Sequence, residues 1–149
     1  MDREEDDGGL FDSVFGSGSG GPGWEPSHLL GLEPSALEEA VVALYEAEGY
    51  DVERAGPTAE DGVDFLARQS GLLRSSTTVL CVRGGRSVSN ATVDLLERAR
   101  EINGAGTAVL VRPEGFPETV REAAAGSQVT LLDAGLLADR LDRTDLEPP

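Results

Sequence analysis

The residue types that could do chemistry in this chain are few. All 12 basic residues are arginine, and the lack of lysine excludes Schiff-base chemistry, a P-loop lysine and a lysine general base. The single cysteine, Cys81, excludes an internal disulfide and a cysteine-rich zinc site. The single histidine, His28, excludes a histidine-pair metal site and a serine–histidine relay within the folded part. The remaining candidates are carboxylates, which bind hard cations, and arginines, which suit phosphate by their bidentate geometry.

The charge balance is strongly acidic. The chain has 28 acidic residues and a net charge of −16, spread along its length. Such a surface repels itself in ordinary buffer, and high salt screens that repulsion. With lysine missing and small residues abundant, this composition resembles that of haloarchaeal cytoplasmic proteins. A GC-rich genome that favours arginine over lysine is the alternative, although it explains the net charge poorly.

The chain has no sequence signal for a membrane or for export. No apolar run approaches the roughly 18 residues that suggest a spanning helix. No charged-then-apolar leader is present at the start. We therefore expect a cytoplasmic protein with no membrane partner.

Residues 1–33 are predicted to be a disordered, acidic, Gly/Ser-rich tail. They hold eight glycines and eight acidic residues but one arginine, so little apolar surface is available to offset the entropy of ordering. A short apolar motif with helical spacing interrupts the tail, formed by Leu10, Phe11, Val14 and Phe15. This motif could dock on a protein partner, and Trp24 is a second apolar island. The alternative is that these residues pack on their own domain.

Residues 34–141 are predicted to form one α/β domain, followed by an acidic tail over 142–149. The apolar spacing predicts a helix from Pro34-Ser35 to Gly49, with Ser35 and Glu38 in capping-box spacing. Helix and strand patterns then give the order α-β-β-β-α-β-α-β-α. The predicted strands are 50–54, 63–68, 77–83, 107–111 and 129–132, and the later helices are 89–102, 117–125 and 134–141, the last of them capped by Asp133. This order favours a mixed sheet with helices on both faces.

Five segments in this order resemble the Mrr-type branch of the restriction endonuclease-like (PD-(D/E)XK) superfamily. They read LEEAVVALYEAEGYDVE from Leu37, EDGVDFLA from Glu60, LCVRGGRSVSN from Leu80, TAVLVRPEGFPETVREAA from Thr107 and VTLLDAGLLADRL from Val129. The resemblance covers residues 34–141 and implies a restriction endonuclease-like mixed sheet.

For the active members of that superfamily, the resemblance implies metal-assisted hydrolysis of DNA. Carboxylates there hold Mg²⁺, and a lysine on the third strand stabilises developing charge. Glu38 falls at the helix-one glutamate and Asp64 at the metal-binding aspartate. The third-strand Gln/Glu-x-Lys falls on Leu80 and Val82, neither of which can replace it.

A shift of register by one residue does not restore the motif. It would place Cys81 and Arg83 at the two positions, but cysteine is a poor Mg²⁺ ligand and arginine cannot act as a base. We therefore predict a degenerate site with Asp64, Glu38 and Arg83 as its remnants. Asp64 is the metal candidate, and no cofactor is expected unless activity, and with it Mg²⁺, is retained.

Each of these residues also has a simpler structural interpretation. Asp64 could bond backbone amides in a turn, Glu38 could serve the capping box of Ser35, and Cys81 could be a small core residue. Four arginines could gather at the strand ends and contact DNA phosphates, namely Arg54, Arg68, Arg83 and Arg86. Scattered arginines on an acidic surface are the alternative, since residues 34–149 hold 20 acidic and 11 basic residues.

Two functions are compatible with this pattern. The first is a catalytically degenerate domain that binds DNA or a protein in DNA restriction or repair. The second is an active Mg²⁺-dependent endonuclease in which Arg83 replaces the lysine.

Overall fold

The computed structural model describes residues 23–55, 63–71 and 75–148. Within these ranges the chain forms five helices and five strands. The helices are α1 (Pro26–Leu30), α2 (Pro34–Ala47), α3 (Asn90–Ile102), α4 (Glu118–Ala125) and α5 (Ala134–Asp142). The strands are β1 (Asp51–Arg54), β2 (Phe65–Ser70), β3 (Ser75–Val82), β4 (Thr107–Val111) and β5 (Val129–Leu132). No helix of these described segments is both long and apolar enough to cross a membrane.

The strands form one mixed sheet in the order β1-β2-β3-β4-β5. The β1–β2 and β2–β3 pairs are antiparallel, and the β3–β4 and β4–β5 pairs are parallel. Strand β3 is therefore the junction, with Leu80 opposite Phe65 of β2 and opposite Val109 of β4. The predicted mixed sheet is confirmed.

Helices cover both faces of this sheet, and each face has its own apolar core. Helices α1, α2 and α5 pack on the face that includes Phe65, Leu80 and Val82. Helices α3 and α4 pack on the opposite face, which includes Cys81 and Leu110. The alternation of β3 side chains between the two cores follows from the period of two in a strand. Because both faces are covered, the β3 sequence is apolar without interruption from Val79 to Val82.

The sequence predicted the first residue of some helices correctly and that of others incorrectly. Helix α3 begins after Ser89, whose side chain accepts from the Thr92 amide in a capping box. Helix α5 begins after Asp133, whose carboxylate accepts from the Leu136 amide, as predicted. Helix α2, however, begins at Pro34 after Glu33, so Ser35 lies inside its first turn. The predicted Ser35–Glu38 capping box is therefore wrong, because Pro34 occupies the first helical position and the N-cap is Glu33, two residues before Ser35.

The folded part includes residues that the sequence analysis assigned to the tails. Trp24 is buried, and Leu29 on α1 is only 1% exposed in the core beneath α2 and α5. The Trp24 backbone N–H donates to Asp142 Oδ1 at 2.6 Å, and its indole N–H donates to the Leu146 carbonyl at 3.0 Å. These contacts join sequence positions more than a hundred residues apart, which local composition cannot predict. Residues 1–22, including the apolar motif, lie outside the described residues.

The adjacent leucines of α1 test whether this short helix belongs to the domain. Leu29→Ala should destabilise the protein by about 2–5 kcal/mol, because it leaves a cavity in the core. Leu30→Ala should change the free energy of unfolding by less than about 0.5 kcal/mol, since Leu30 is 51% exposed. Denaturant unfolding followed by circular dichroism in molar KCl measures both. Equal, small effects would show that α1 contributes nothing to the core.

Candidate functional site

Asp64 lies just before β2 and is bound to the end of β3. Its backbone N–H donates to the Leu80 carbonyl at 2.9 Å. Its carboxylate Oδ2 accepts from the Val82 backbone N–H at 2.7 Å and from Arg83 Nη1 at 2.9 Å. The carboxylate thus bonds a backbone amide, as one sequence interpretation allowed, but the amide belongs to the neighbouring strand rather than to a local turn. The same oxygen also pairs with a guanidinium.

Arg83 follows the last residue of β3 and is held in place from two sides. Its Nη1 donates to Asp64 and also to the Val82 carbonyl at 3.0 Å. The Arg83 side chain is 16% exposed and that of Asp64 is 22% exposed, so the pair is largely shielded from solvent. A cation therefore already neutralises the one carboxylate that the resemblance assigned to metal binding.

The two neighbouring positions on β3 are apolar and enclosed. Leu80 is fully buried and Val82 is 4% exposed, both in the core beneath α2 and α5. A charged side chain at either position would lose its hydration in this core. These positions have no group that could bind a cation or stabilise an oxyanion.

Cys81 points away from this site into the core between the sheet and helices α3 and α4. Burial raises the pKa of its thiol from 9.0 to about 12, although Arg83 opposes this effect. The thiolate is the reactive form of cysteine, and it is scarce at neutral pH with such a pKa. This environment agrees with the interpretation of Cys81 as a small core residue.

Glu38 lies on α2 and pairs with a residue of β1. Its Oε1 is 3.5 Å from Arg54 Nη2, and the Arg54 guanidinium lies 4.9 Å from the centre of the Phe65 ring. A cavity of about 340 Å³ is lined by Glu38, Arg54 and Phe65, together with the carboxylates of Glu39 and Glu46. Glu38 and Asp64 each pair with a different arginine. No group of three or more histidine, cysteine or acidic side chains that could hold a metal occurs in the described residues.

The four predicted arginines do not all lie at one edge of the sheet. Arg54 ends β1 at the same edge as the end of β3, and it pairs with Glu38 of α2. Arg68 lies towards the opposite edge, where it pairs with Glu53 of β1. Arg83 and Arg86 follow the end of β3, where Arg86 Nη2 is 3.4 Å from the Val82 carbonyl.

Arg112 joins Arg83 and Arg86 at this sheet edge and was missed by the sequence analysis. Its Nε donates to the Arg86 carbonyl at 2.6 Å, and its Nη1 donates to the Gly115 carbonyl at 2.7 Å. A sequence signal was available, because Arg83 and Arg112 each follow a valine that ends a buried strand. Val82 and Val111 are register partners in the parallel β3–β4 pair, so the residues after them lie side by side. We call Arg83, Arg86 and Arg112 the arginine edge.

The fold and these sequence features identify a restriction endonuclease-like domain. A family model described as Mrr_cat, restriction endonuclease, matches residues 29–141. The chain belongs to this family, which confirms the resemblance. No curated protein sequence is significantly similar to it.

Two solved structures, those of AspBHI and AF1548, agree on the fold. The chain is similar to the DNA modification-dependent restriction endonuclease AspBHI, with a TM-score of 0.60 at 15% identity. That match covers 79% of this chain and 34% of AspBHI, so the chain spans about a third of the length of that enzyme. A protein of unknown function, AF1548, matches with a TM-score of 0.52 at 12% identity, covering 66% of this chain and 61% of AF1548. MspJI restriction endonuclease, solved in complex with a 27-mer oligonucleotide, gives a TM-score of 0.46 at 21% identity over 79% of this chain and 27% of that chain.

The enclosed thiol provides a test of the core on the α3–α4 face. A pKa of about 12 rather than 9.0 makes the thiolate fraction at neutral pH about a thousandfold smaller. The folded chain should therefore react with iodoacetamide about a thousandfold more slowly than the same chain unfolded in guanidinium chloride at the same pH. Mass spectrometry of quenched samples measures both rates. Comparable rates would mean that Cys81 is accessible.

Proposed function

We propose that this domain is catalytically degenerate and acts as a binding or assembly module in DNA restriction or repair in the cytoplasm. One observation carries the proposal, namely that the Asp64 carboxylate is bonded to the Arg83 guanidinium and the Val82 N–H. A divalent cation at Asp64 would have to displace the Arg83 guanidinium, because two positive charges at the same carboxylate oxygen repel each other. Among the residues that the structure describes, the donor set also lacks the further oxygen ligands that Mg²⁺ prefers, since Leu80 and Val82 are apolar. These described residues therefore do not fit the metal of the active enzymes.

An active endonuclease with a rearranged site is the second candidate. It is favoured by the position of Arg83, which lies 2.9 Å from Asp64, where a cation could neutralise a phosphate. A permanently protonated guanidinium cannot activate water as a base. In this candidate another group must do so, and Leu80, Cys81 and Val82 provide none.

Metal binding and DNA nicking distinguish the two candidates. In molar KCl, we expect neither Mg²⁺ nor Mn²⁺ to bind at Asp64, and we expect no nicking of supercoiled, modified or branched DNA. Isothermal titration calorimetry and plasmid gels measure these two properties. Asp64→Asn is the matched control, because its side-chain oxygen still accepts the Val82 N–H while the charge is removed.

A different set of nicking results would support the active endonuclease. Nicking that depends on Mn²⁺ and disappears in Asp64→Asn would overturn the proposal and support the active endonuclease. Loss of that nicking in Arg83→Gln would then assign the guanidinium to the phosphate.

DNA is the partner that the arginine edge favours. Arg83, Arg86 and Arg112 lie together at the ends of two adjacent strands, accompanied by the carboxylates of Asp64 and Glu114. The local balance is therefore one positive charge, in a domain that is otherwise strongly acidic. Arginine contacts to phosphate fix position without reading sequence, so we expect weak binding that depends on salt and not on base order.

Arg86 provides the sharpest test of this edge, because its side chain is exposed and makes no ion pair with Asp64. Arg86→Gln should weaken duplex binding equally for different sequences and lower the slope of log K against log salt by about 1. Arg143→Gln is the control. Arg143 shares a cavity with Glu48 at the far end of α2, whereas the start of α2 approaches the arginine edge through Leu37 and Gly84.

Fluorescence anisotropy over a series of KCl concentrations measures both variants. An unchanged slope in Arg86→Gln, or an equal loss in Arg143→Gln, would contradict binding at the arginine edge. A complete lack of DNA binding by the parent chain would leave a protein as the partner.

A further inference from the structure

A shallow apolar groove lies on the outer side of α2. Ala36, Ala40 and Ala43 form one side of it, and their spacing of four and three residues places them in one row along the helix. Trp24, Leu32 and Leu146 form the other side. The groove encloses about 270 Å³, less than the roughly 300–1,000 Å³ of clefts for drug-sized ligands. It is therefore of a size for one or two large side chains.

The preceding part of the chain arrives at this groove. Trp24 is fixed in its wall by hydrogen bonds to Asp142 and to the Leu146 carbonyl. Gly23 comes so close to Asp142 that a Cβ there would lie 2.8 Å from the carboxylate oxygen. The described chain thus begins at the edge of the groove, and every residue before Gly23 is tethered to that point.

The nearest apolar segment on this tether is Leu10–Phe15. It presents Leu10, Phe11, Val14 and Phe15 in helical spacing, and eight residues, Gly16–Gly23, connect it to Trp24. Five of those eight residues are glycine and two are serine. Eight residues can span at most about 29 Å. The alanine row extends over only about 10 Å of helix, at 1.5 Å per residue.

We propose that residues 10–15 of this chain bind in the α2 groove of the same molecule. A short tether of this kind gives an effective concentration in the millimolar range, so a contact too weak to hold a separate partner is occupied within one chain. The small side chains of the alanine row leave space for large side chains, and the segment contains two phenylalanines, Phe11 and Phe15. This occupant agrees with the sequence alternative in which the apolar motif packs on its own domain.

The charges at the groove predict how this contact depends on salt. Glu39 and Glu147 lie in the groove lining and are exposed, and Asp12 lies within the segment. All three are negative, so they repel one another at low ionic strength and are screened at high salt. Raising the KCl concentration should therefore strengthen the contact, the opposite of the expected effect on DNA binding.

The fluorescence of Trp24 can show whether the groove is occupied, because Trp24 is the only tryptophan and forms one wall of the groove. In the full chain at molar KCl, replacing Phe11 and Phe15 by serine should shift the Trp24 emission to longer wavelength and increase its quenching by acrylamide. Each replacement should lower the docked-to-undocked ratio by about tenfold or more, given the apolar area of one phenyl ring. Asp12→Asn is the control, and it should leave quenching unchanged or lower it.

A spin label identifies the occupant directly. With Cys81→Ala and Ser13→Cys in the full chain, a nitroxide at position 13 should broaden the amide signals of Ala36, Ala40 and Ala43 at every protein concentration. Signals of Ala123 and Ala125 on α4, on the other side of the sheet, should stay sharp. Broadening that grows with concentration would assign the groove to a second copy, and no broadening would leave it empty. Either result, or unchanged Trp24 quenching in the phenylalanine variants, would overturn the proposal.

Discussion

Strand β3 sets the main constraint on this domain, because it is the strand that every layer shares. It pairs in antiparallel fashion with β2 and in parallel fashion with β4, and helices cover it on both faces. Each side chain from Val79 to Val82 is therefore enclosed, whichever face it points to. A polar group at Leu80 or Val82 would be stable only with its own hydrogen-bond partners around it. With leucine and valine there, both side chains pack in the core beneath α2 and α5.

The pairing of Asp64 with Arg83 follows from the same arrangement. Because Leu80 and Val82 near the end of β3 are apolar, the carboxylate just before β2 has another partner, which is the first residue beyond β3. The Val82 N–H satisfies the same oxygen, so removal of the Asp64 side chain would leave both a buried donor and a guanidinium without a partner. An unmade bond of this kind costs about 1–3 kcal/mol. Asp64 thus has a clear structural role whether or not a metal ever binds there.

Local patterns in the sequence predicted most of this fold. The apolar runs at 107–111 and 129–132 gave strands β4 and β5 with their observed bounds, and Asp133 gave the start of α5. The errors have two origins. Trp24 and Leu29 belong to the domain because of contacts between α1 and the region of α5, which local composition does not predict. The Ser35–Glu38 capping box was wrong for a local reason, since Pro34 occupies the first helical position.

The sequence predicted individual residues of the candidate site but not their positions relative to one another in space. The sequence predicted apolar residues, Leu80 and Val82, at the third-strand positions of the resemblance, since that depends on residue identity alone. It did not indicate that Arg68 is separated from Arg83 and Arg86, because that separation depends on which strand ends lie at the same edge. Arg112 was missed because its role depends on the register of β3 with β4.

The contact of Trp24 with Asp142 and Leu146 has a consequence for how such a domain combines with others. The chain enters the domain and leaves it at nearly the same point on the surface. A domain with adjacent ends can be placed within a longer polypeptide while disturbing only one surface position of its neighbour. This geometry suits a module that is inserted into different proteins, because its own fold holds the two flanking segments close together.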